Sequence, residues 1–192
     1  MNLGTRARYG LVTVAMAVWL LAATTPAPAE LRVSDLDVYL NDHDVTVHVV
    51  LLGTIPAGFQ EGLQSGIPAH VRYTVELWQY NRMWRDALIK RVKIERQLTY
   101  NVVTKEYKVL SLKGETRTAH GTKDLRDAQR VLSELQGLKL GPAASLDAAE
   151  IFYVRVQAET ALNGENTFIA RMSGTAEQTM RQSDFRTIQR VQ

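Results

Sequence analysis

The stretch VRYTVELWQYNRMWRDALIKRVKIERQLTY, residues 71–100, contains two segments in which apolar and polar side chains alternate. In the first segment the apolar residues occupy odd positions, and they are Val71, Tyr73, Val75 and Leu77. In the second they occupy even positions, and they are Leu88, Val92, Ile94, Leu98 and Tyr100. Because successive side chains of a β-strand point to opposite faces, each segment is predicted to be a strand with one buried and one solvated face.

The same alternation extends outward along the chain. It predicts a hairpin of two half-buried strands over residues 36–51, which turns at Asn41-Asp42-His43-Asp44. Two further strands are predicted at 107–112 and 152–162. Residues 167–172 are predicted to return as the partner of 152–162 across the turn-forming pair Asn163-Gly164. Strand signals therefore dominate the sequence.

Two helices interrupt the strands. The longer is predicted over Thr122–Gln136 from apolar residues at spacings of three and four, with Gly137 in the left-handed position that follows a helix. The shorter is predicted over about Pro56–Ser65 and is ended by Gly66. The predicted fold is mainly β, an antiparallel β-sandwich or curled sheet with one short and one longer amphipathic helix, and an α+β two-layer arrangement is the alternative.

The first 29 residues have the pattern of a secretory signal peptide. Arg6 and Arg8 precede an apolar run from Leu11 to Ala23, and Ala27-Pro28-Ala29 forms a small-x-small cleavage site. The apolar run is shorter than the roughly 20 residues that a membrane-spanning helix needs. We therefore expect cleavage between Ala29 and Glu30 and a mature protein that does not span the membrane. The expected location is the periplasm or the exterior of a Gram-negative bacterium.

The remaining chain is predicted to form a single β-rich domain over residues 30–176, followed by a polar C-terminal tail over 177–192. This tail is expected to be a marginal helix, an edge strand or a partly disordered end. The formal net charge of +3 includes the two arginines of the signal segment, so the rest of the chain is close to neutral. Because the chain has no cysteine, disulfides, thiolate metal sites and a cysteine nucleophile are excluded.

No catalytic, cofactor-binding or metal site is predicted, and the protein is expected not to be an enzyme. His43 and His48 are five residues apart, so in a strand they point to opposite faces and cannot share a metal. Asp42 and Asp44 lie in a segment without the glycine and closing glutamate of a calcium loop, and they are interpreted as turn residues that hydrogen-bond to the backbone. The sequence contains no nucleophile elbow, phosphate-binding loop or dinucleotide glycine pattern.

One charge feature stands out between residues 72 and 100, where basic residues outnumber acidic ones seven to three and aromatic residues are interleaved. The candidate interaction surface taken from this strip consists of Arg72, Trp78, Tyr80, Arg82, Trp84, Arg85, Arg91 and Lys93. Trp78 has the parity opposite to Val75 and Leu77, so its indole is predicted to lie on the face away from the core. The alternative interpretation is a solvated sheet face whose long side chains cover apolar neighbours.

Three segments carry a resemblance to a known family: EGLQSGIPAHVRYTVELWQYNRMWRDA (61–87), RQLTYNVVTKEYKV (96–109) and YVRVQAE (153–159). On these residues the chain resembles a family of exported bacterial proteins known as domain of unknown function 4390. The resemblance implies an exported, mostly β domain from about Leu31 onward. Because genes of such proteins are often found beside sensor-kinase genes, it also implies an accessory role in envelope signalling. It implies no activity, cofactor or catalytic residue.

The leading hypothesis is a non-enzymatic binding or adaptor domain of the periplasm or cell envelope. Its expected partner is an envelope protein, an anionic lipid or an acidic glycan, and not a nucleic acid. Two alternatives stay open. One is a periplasmic hydrolase with a convergent active site, in which Ser65, Ser111 or Ser173 would be the nucleophile. The other is a structural envelope protein that is held in place by edge-strand pairing.

Overall fold

The structure, a computed structural model, describes residues 30–184 and 186–187, so the predicted signal peptide lies outside the described residues. A small antiparallel sheet contains three strands in the order β1-β2-β7. These strands are β1 (Arg32–Asn41), β2 (Asp44–Leu52) and β7 (Glu134–Pro142). The predicted hairpin at 36–51 is thus present, and its turn is made by left-handed backbone at Asp42 and His43, as in a type I′ turn.

A large antiparallel sheet has the order β10-β8-β3-β4-β5-β6, and β9 also pairs with β8. Its strands are β3 (Ala69–Tyr80), β4 (Ala87–Asn101), β5 (Glu106–Lys113), β6 (His120–Thr122), β8 (Ile151–Leu162), β9 (Ala176–Gln182) and β10 (Arg186–Thr187). The two alternating segments at 71–77 and 88–100 are therefore neighbouring strands of one hairpin, joined by residues 81–86. The prediction of a mainly β fold built from antiparallel strands is confirmed.

Three helices occur in the part of the chain that the structure describes: α1 (Ala57–Gln64), α2 (Leu125–Ser133) and α3 (Phe168–Met172). Both sheets contribute to one hydrophobic core, for example through Val47 of β2 and Val75 of β3. Phe59 of α1 and Leu132 of α2 are fully buried in the same core. No helix among the described residues is long and apolar enough to cross a membrane.

The short predicted helix is confirmed, and so is the way it ends. The amide of Gly66 donates to the carbonyl of Leu63, and the amide of Ile67 donates to that of Gly62. Gly66 has a φ of +88°, so the helix closes in a left-handed Schellman turn.

The longer helix, predicted over Thr122–Gln136, was predicted too long at both ends: it begins at Leu125, and Thr122 belongs to β6. It ends at Ser133, and Glu134 to Gln136 belong to β7, which pairs with β2 through Val50↔Glu134 and Val49↔Leu135. Gly137 therefore lies inside a strand and does not follow a helix. Pairing with β2 outweighs the helical spacing that Leu135 would continue.

The predicted return strand at 167–172 was also wrong, because these residues include α3. The hydroxyl of Thr167 accepts a hydrogen bond from the amide of Ala170 and caps this short helix at its start. The partner of β8 is instead β9, in a register that runs from Ala161↔Ala176 to Arg155↔Gln182. Of the alternatives open for the tail, residues 177–182 thus take the edge strand.

Candidate interaction surface

The outer side of the large sheet carries a row of charged side chains on β3, β4 and β8, which we call the polar face. In the strand register, Arg72 lies between Glu95 and Glu159, and Glu76 lies between Arg91 and Arg155. A shallow depression with a volume of about 420 Å³ lies here. Its polar lining consists of Arg72, Thr74, Glu76, Arg91, Lys93, Glu95, Lys113, Gln157 and Glu159.

Most charges of the polar face are paired with one another. The Nε of Arg72 lies 3.0 Å from Oε1 of Glu95, and the Nε of Arg91 lies 2.7 Å from Oε1 of Glu76. Lys93 and Lys113 form no ion pair with any residue that the structure describes. The face therefore offers two unpaired ammonium groups and little other net charge.

Trp78 lies on the polar face, on the side of the sheet that its parity predicts, but its ring is covered. The indole N–H donates to Glu76 at 2.8 Å. The ring stacks on Tyr153 with a centroid separation of 6.4 Å, and the Arg155 guanidinium lies 5.0 Å from its centroid. Such contacts between cations and aromatic rings stabilise the sheet surface itself. Trp78 is therefore a packing residue of the polar face, because its ring already has partners.

The loop between β3 and β4, residues 81–86, is held in one conformation; we call it the hairpin tip. The side-chain oxygen of Asn81 accepts hydrogen bonds from the amides of Met83 and Trp84 at 3.0 and 3.2 Å. One oxygen of Asp86 accepts from the Asn81 amide at 3.0 Å, and the other accepts from the Tyr153 hydroxyl at 2.7 Å. The tip is thus closed on itself and anchored to β8.

The pKa values of Asp86 and Tyr153, which form this anchor, are shifted in opposite directions. The Asn81 amide and the Tyr153 hydroxyl hold the pKa of the Asp86 carboxyl below its ordinary value. Burial of the phenol and its hydrogen bond to Asp86 raise the pKa of Tyr153 to about 12. At neutral pH the Tyr153 hydroxyl therefore stays protonated and donates a hydrogen bond to the ionised Asp86 carboxylate.

The hairpin tip presents two large apolar side chains to solvent. Met83 is 89% exposed and Trp84 is 82% exposed. Arg82 and Arg85 flank them, are also exposed, and make no hydrogen bond or ion pair with any of the residues described. Two apolar and two cationic side chains are therefore exposed to solvent on an ordered turn at the end of the β3–β4 hairpin.

The eight residues of the predicted interaction surface thus divide between two places. Arg72, Trp78, Arg91 and Lys93 lie on the polar face, whereas Arg82, Trp84 and Arg85 lie on the hairpin tip. Tyr80 is half-buried at the end of β3, between the two. Sequence reasoning missed Met83, because a single methionine in a loop carries no periodic signal.

Arg96, one of the seven basic residues between positions 72 and 100, lies neither on the polar face nor on the hairpin tip. It is 1% exposed and lies on the core side of β4. Its Nε and Nη2 bind the two oxygens of Glu115 at 2.6 and 2.8 Å, and its Nη1 donates to the carbonyls of Val131 and Glu134 at 2.9 and 2.7 Å. The only hint in the sequence is its even position between Ile94 and Leu98. It binds the C-terminal end of α2, where the helix has no glycine cap.

Residues considered for catalysis and metal binding do not converge in the described part of the chain. The hydroxyls of Ser65, Ser111 and Ser173 each donate to a nearby main-chain carbonyl. Among residues 30–184, no group of three or more histidine and acidic side chains could hold a metal ion. The Nζ of Lys139 lies 3.9 Å from Oδ2 of Asp42 and 3.1 Å from Oδ2 of Asp44. The two carboxylates therefore form ion pairs, and do not accept the expected hydrogen bonds from the backbone of the turn.

Fold and surface together define a domain of two antiparallel sheets that displays an aromatic and basic hairpin. The family described as Domain of unknown function (DUF4390) matches residues 29–163, which is most of the chain, so the protein belongs to this family. The match ends before α3 and β9, so these two elements lie outside it. No curated protein and no solved structure matches the chain.

Proposed function

We propose that the protein is a non-enzymatic binding or adaptor domain of the cell envelope, an accessory to envelope signalling, and that the hairpin tip is its contact surface. The observation that carries this proposal is the exposure of Trp84 between two unpaired arginines on a rigid turn. Tryptophan and arginine are the residue types that most often anchor interfaces. Burial of a large apolar side chain contributes about 2 to 3 kcal/mol, which an exposed Trp84 does not gain in the free protein.

The rigidity of the tip supports the same conclusion. A flexible loop would have to be ordered on binding, at a cost of roughly 0.5 to 1.5 kcal/mol for each immobilised side chain with many rotamers. Here Asn81 and Asp86 already fix the backbone that carries Met83 and Trp84. The two apolar side chains are thus presented for contact before any partner arrives.

The polar face is the less favourable contact surface because most of its charges are already paired. Breaking Arg72–Glu95 or Arg91–Glu76 to bind a partner would leave carboxylates without their cations. By contrast, Arg82 and Arg85 lose no ion pair to a described residue when they bind an anion.

Photo-crosslinking in living cells tests this proposal. A photoreactive residue at position 84 is expected to capture one predominant partner, and adding Arg82→Gln and Arg85→Gln should abolish the adduct. Val103 is the matched control, because it is 91% exposed in a turn where Asn101 accepts from the amides of Val103 and Thr104, as Asn81 does at the tip. Equal capture from both positions, or none from position 84, would contradict the proposal.

The envelope location is supported by the N-terminal pattern of charge, apolar run and cleavage site. We expect the protein recovered from the periplasmic fraction to begin at Glu30, as measured by mass spectrometry. Recovery of an unprocessed chain from the cytoplasm would contradict this part of the proposal.

A further inference from the structure

We propose that the occupant of the hairpin tip is an anionic phospholipid bilayer, into whose headgroup region Met83 and Trp84 insert while Arg82 and Arg85 bind lipid phosphates. This inference rests on the proposed function and adds the chemical nature of the partner. It depends on the shape of the tip, on its charge, and on its contrast with a second exposed turn of the same sheet.

The first argument is the shape of the tip. A stable protein–protein interface buries about 800 Å² on each partner, and it is assembled from 20 or more residues. Two projecting side chains bury only a few hundred Å², since even a large aromatic residue buries roughly 150 to 250 Å². A bilayer needs no complementary surface, and tryptophan prefers the boundary between headgroups and acyl chains. The projecting turn therefore suits a lipid surface better than a protein surface.

The second argument is the charge of the tip. Arg82 and Arg85 have no partner among the described residues, and Lys90, a short distance along β4, has none either. The one acidic residue of the tip, Asp86, already accepts hydrogen bonds from Asn81 and Tyr153. Each basic residue close to an anionic leaflet strengthens binding about fivefold. The tip is therefore apolar at its centre and cationic at its sides, which matches an anionic bilayer.

The third argument comes from a turn at the other end of β4. Val103 is 91% exposed, and its turn is closed by Asn101 in the same way as the hairpin tip is closed by Asn81. This turn, residues 101–105, has Lys105 as its one basic residue and contains no aromatic residue. Both turns are thus closed by an asparagine side chain and expose an apolar residue. Only the hairpin tip also carries a tryptophan and two arginines.

The chain has no cysteine, so single-cysteine variants can be labelled at one position only. We would attach the same environment-sensitive fluorophore to Met83→Cys or to Val103→Cys in the full chain. Each protein would then be mixed with vesicles of phosphatidylcholine, with or without phosphatidylglycerol. Residues 1–29 are identical in the two proteins, so lipid binding by that segment acts equally on both.

We expect the label at position 83 to shift to shorter wavelength and to brighten at least about twofold with vesicles that contain phosphatidylglycerol, and the label at 103 to stay unchanged. High salt should reverse the effect, because it screens the arginines. Adding Arg82→Gln and Arg85→Gln should weaken vesicle binding on the order of twentyfold, since two cations are lost. Circular dichroism of each variant checks that the fold is retained.

Two results would overturn the inference: no change of the label at position 83, or an equal change at positions 83 and 103. If the label at position 83 does not respond to vesicles while crosslinking from position 84 still captures one protein, the lipid is the wrong occupant and the proposed binding function stands. If both experiments fail, the inference and the proposed function fall together.

Discussion

Arg96 occupies a position of β4 whose neighbours two residues away, Ile94 and Leu98, are core residues. Its guanidinium links three separate parts of the chain: β4, the end of α2 and the segment after β5 that carries Glu115. Gly114 makes this possible, because it has a φ of +86° and a Cβ there would overlap the carbonyl oxygen of Lys93. A charge in the core is thus held by hydrogen bonds that the surrounding backbone is shaped to supply.

Replacing Arg96 with methionine should lower the free energy of unfolding by about 3 to 5 kcal/mol. The substitution leaves Glu115 without its partner and removes the hydrogen bonds that Arg96 donates to the carbonyls of Val131 and Glu134. Urea denaturation measures the effect. Lys93→Met on the same strand is the control, because Lys93 is exposed and forms no ion pair with a described residue, so its loss should change the free energy of unfolding by at most about 0.5 kcal/mol. Equal losses in the two variants would contradict the role given to Arg96.

Gly66→Ala should destabilise the protein by about 1 to 2 kcal/mol. A Cβ at this position would lie 4.0 Å from Cγ2 of Val102, an ordinary contact distance, so the cost comes from the left-handed backbone at φ +88°. Gly121→Ala is the control, because Gly121 lies in β6, has no positive φ, and a Cβ there would meet no atom within 4 Å. An unchanged melting temperature in Gly66→Ala would refute the helix-ending role.

These two residues also show what sequence can tell at this scale. The end of α1 could be predicted because glycine, isoleucine and proline follow one another directly, and their effects are local. Arg96 could not be assigned to the core, because its partners lie 19 or more residues away in the chain. A basic residue in an alternating strand is indistinguishable from a surface residue until those partners are known.

At the scale of the elements, the long alternating strands were predictable and the short or ambiguous segments were not. β4 was expected at 88–100 and spans Ala87–Asn101, since alternation over about 13 residues leaves little ambiguity. Leu135 fits both a helical spacing and a strand, and its pairing with Val49 decides for the strand. α3 depends on one cap at Thr167, which a pattern of apolar residues does not report.

The hairpin tip yields a prediction about an element. Asn81→Ala removes the acceptor for the amides of Met83 and Trp84, so hydrogen exchange at these amides should accelerate markedly. Global stability should fall by only about 1 kcal/mol, because the lost hydrogen bonds are exposed. Asn101→Ala is the matching variant, and it should accelerate exchange at Val103 and Thr104 alone. Unchanged exchange at the tip in Asn81→Ala would show that its order has another source.

At the scale of the whole molecule, the class of fold followed from composition and alternation, but the pairing of distant strands did not. β8 is paired with β3, 70 or more residues earlier in the chain, and β7 is paired with β2. Alternation specifies which face of a strand is buried and leaves its neighbours open. The basic residues of the predicted interaction surface therefore lie in two separate places, because the end of β3 separates the polar face from the hairpin tip.

Stability in acid is a property of the whole molecule that depends on a few carboxyls. Arg130 and His120 lower the pKa of Asp127 from 3.8 to about 2. Partial burial opposes ionisation of Glu115, but Arg96 holds its pKa below the ordinary value. Because these groups bind protons less readily when folded, their stabilisation is complete above about pH 5 and is lost as the pH falls through 4 to 2 and below.

Asp127→Asn should therefore weaken the pH dependence of the unfolding free energy between about pH 4 and pH 2 while leaving its sign unchanged. Urea midpoints measured across this range give the slope directly. Asp35→Asn is the control, because Asp35 is exposed and forms no ion pair with a described residue. An identical slope in wild type and Asp127→Asn would contradict the ion-pair account.

The claim that the hairpin tip is the contact surface is tested most directly by hydrogen exchange of the protein with and without an envelope fraction from cells that produce it. We expect slower exchange concentrated at the hairpin tip, residues 81–86, with little change in β3, β4 and β8 or at the turn that carries Val103. Slower exchange confined to β3, β4 and β8 outside the tip, or no change anywhere, would contradict it.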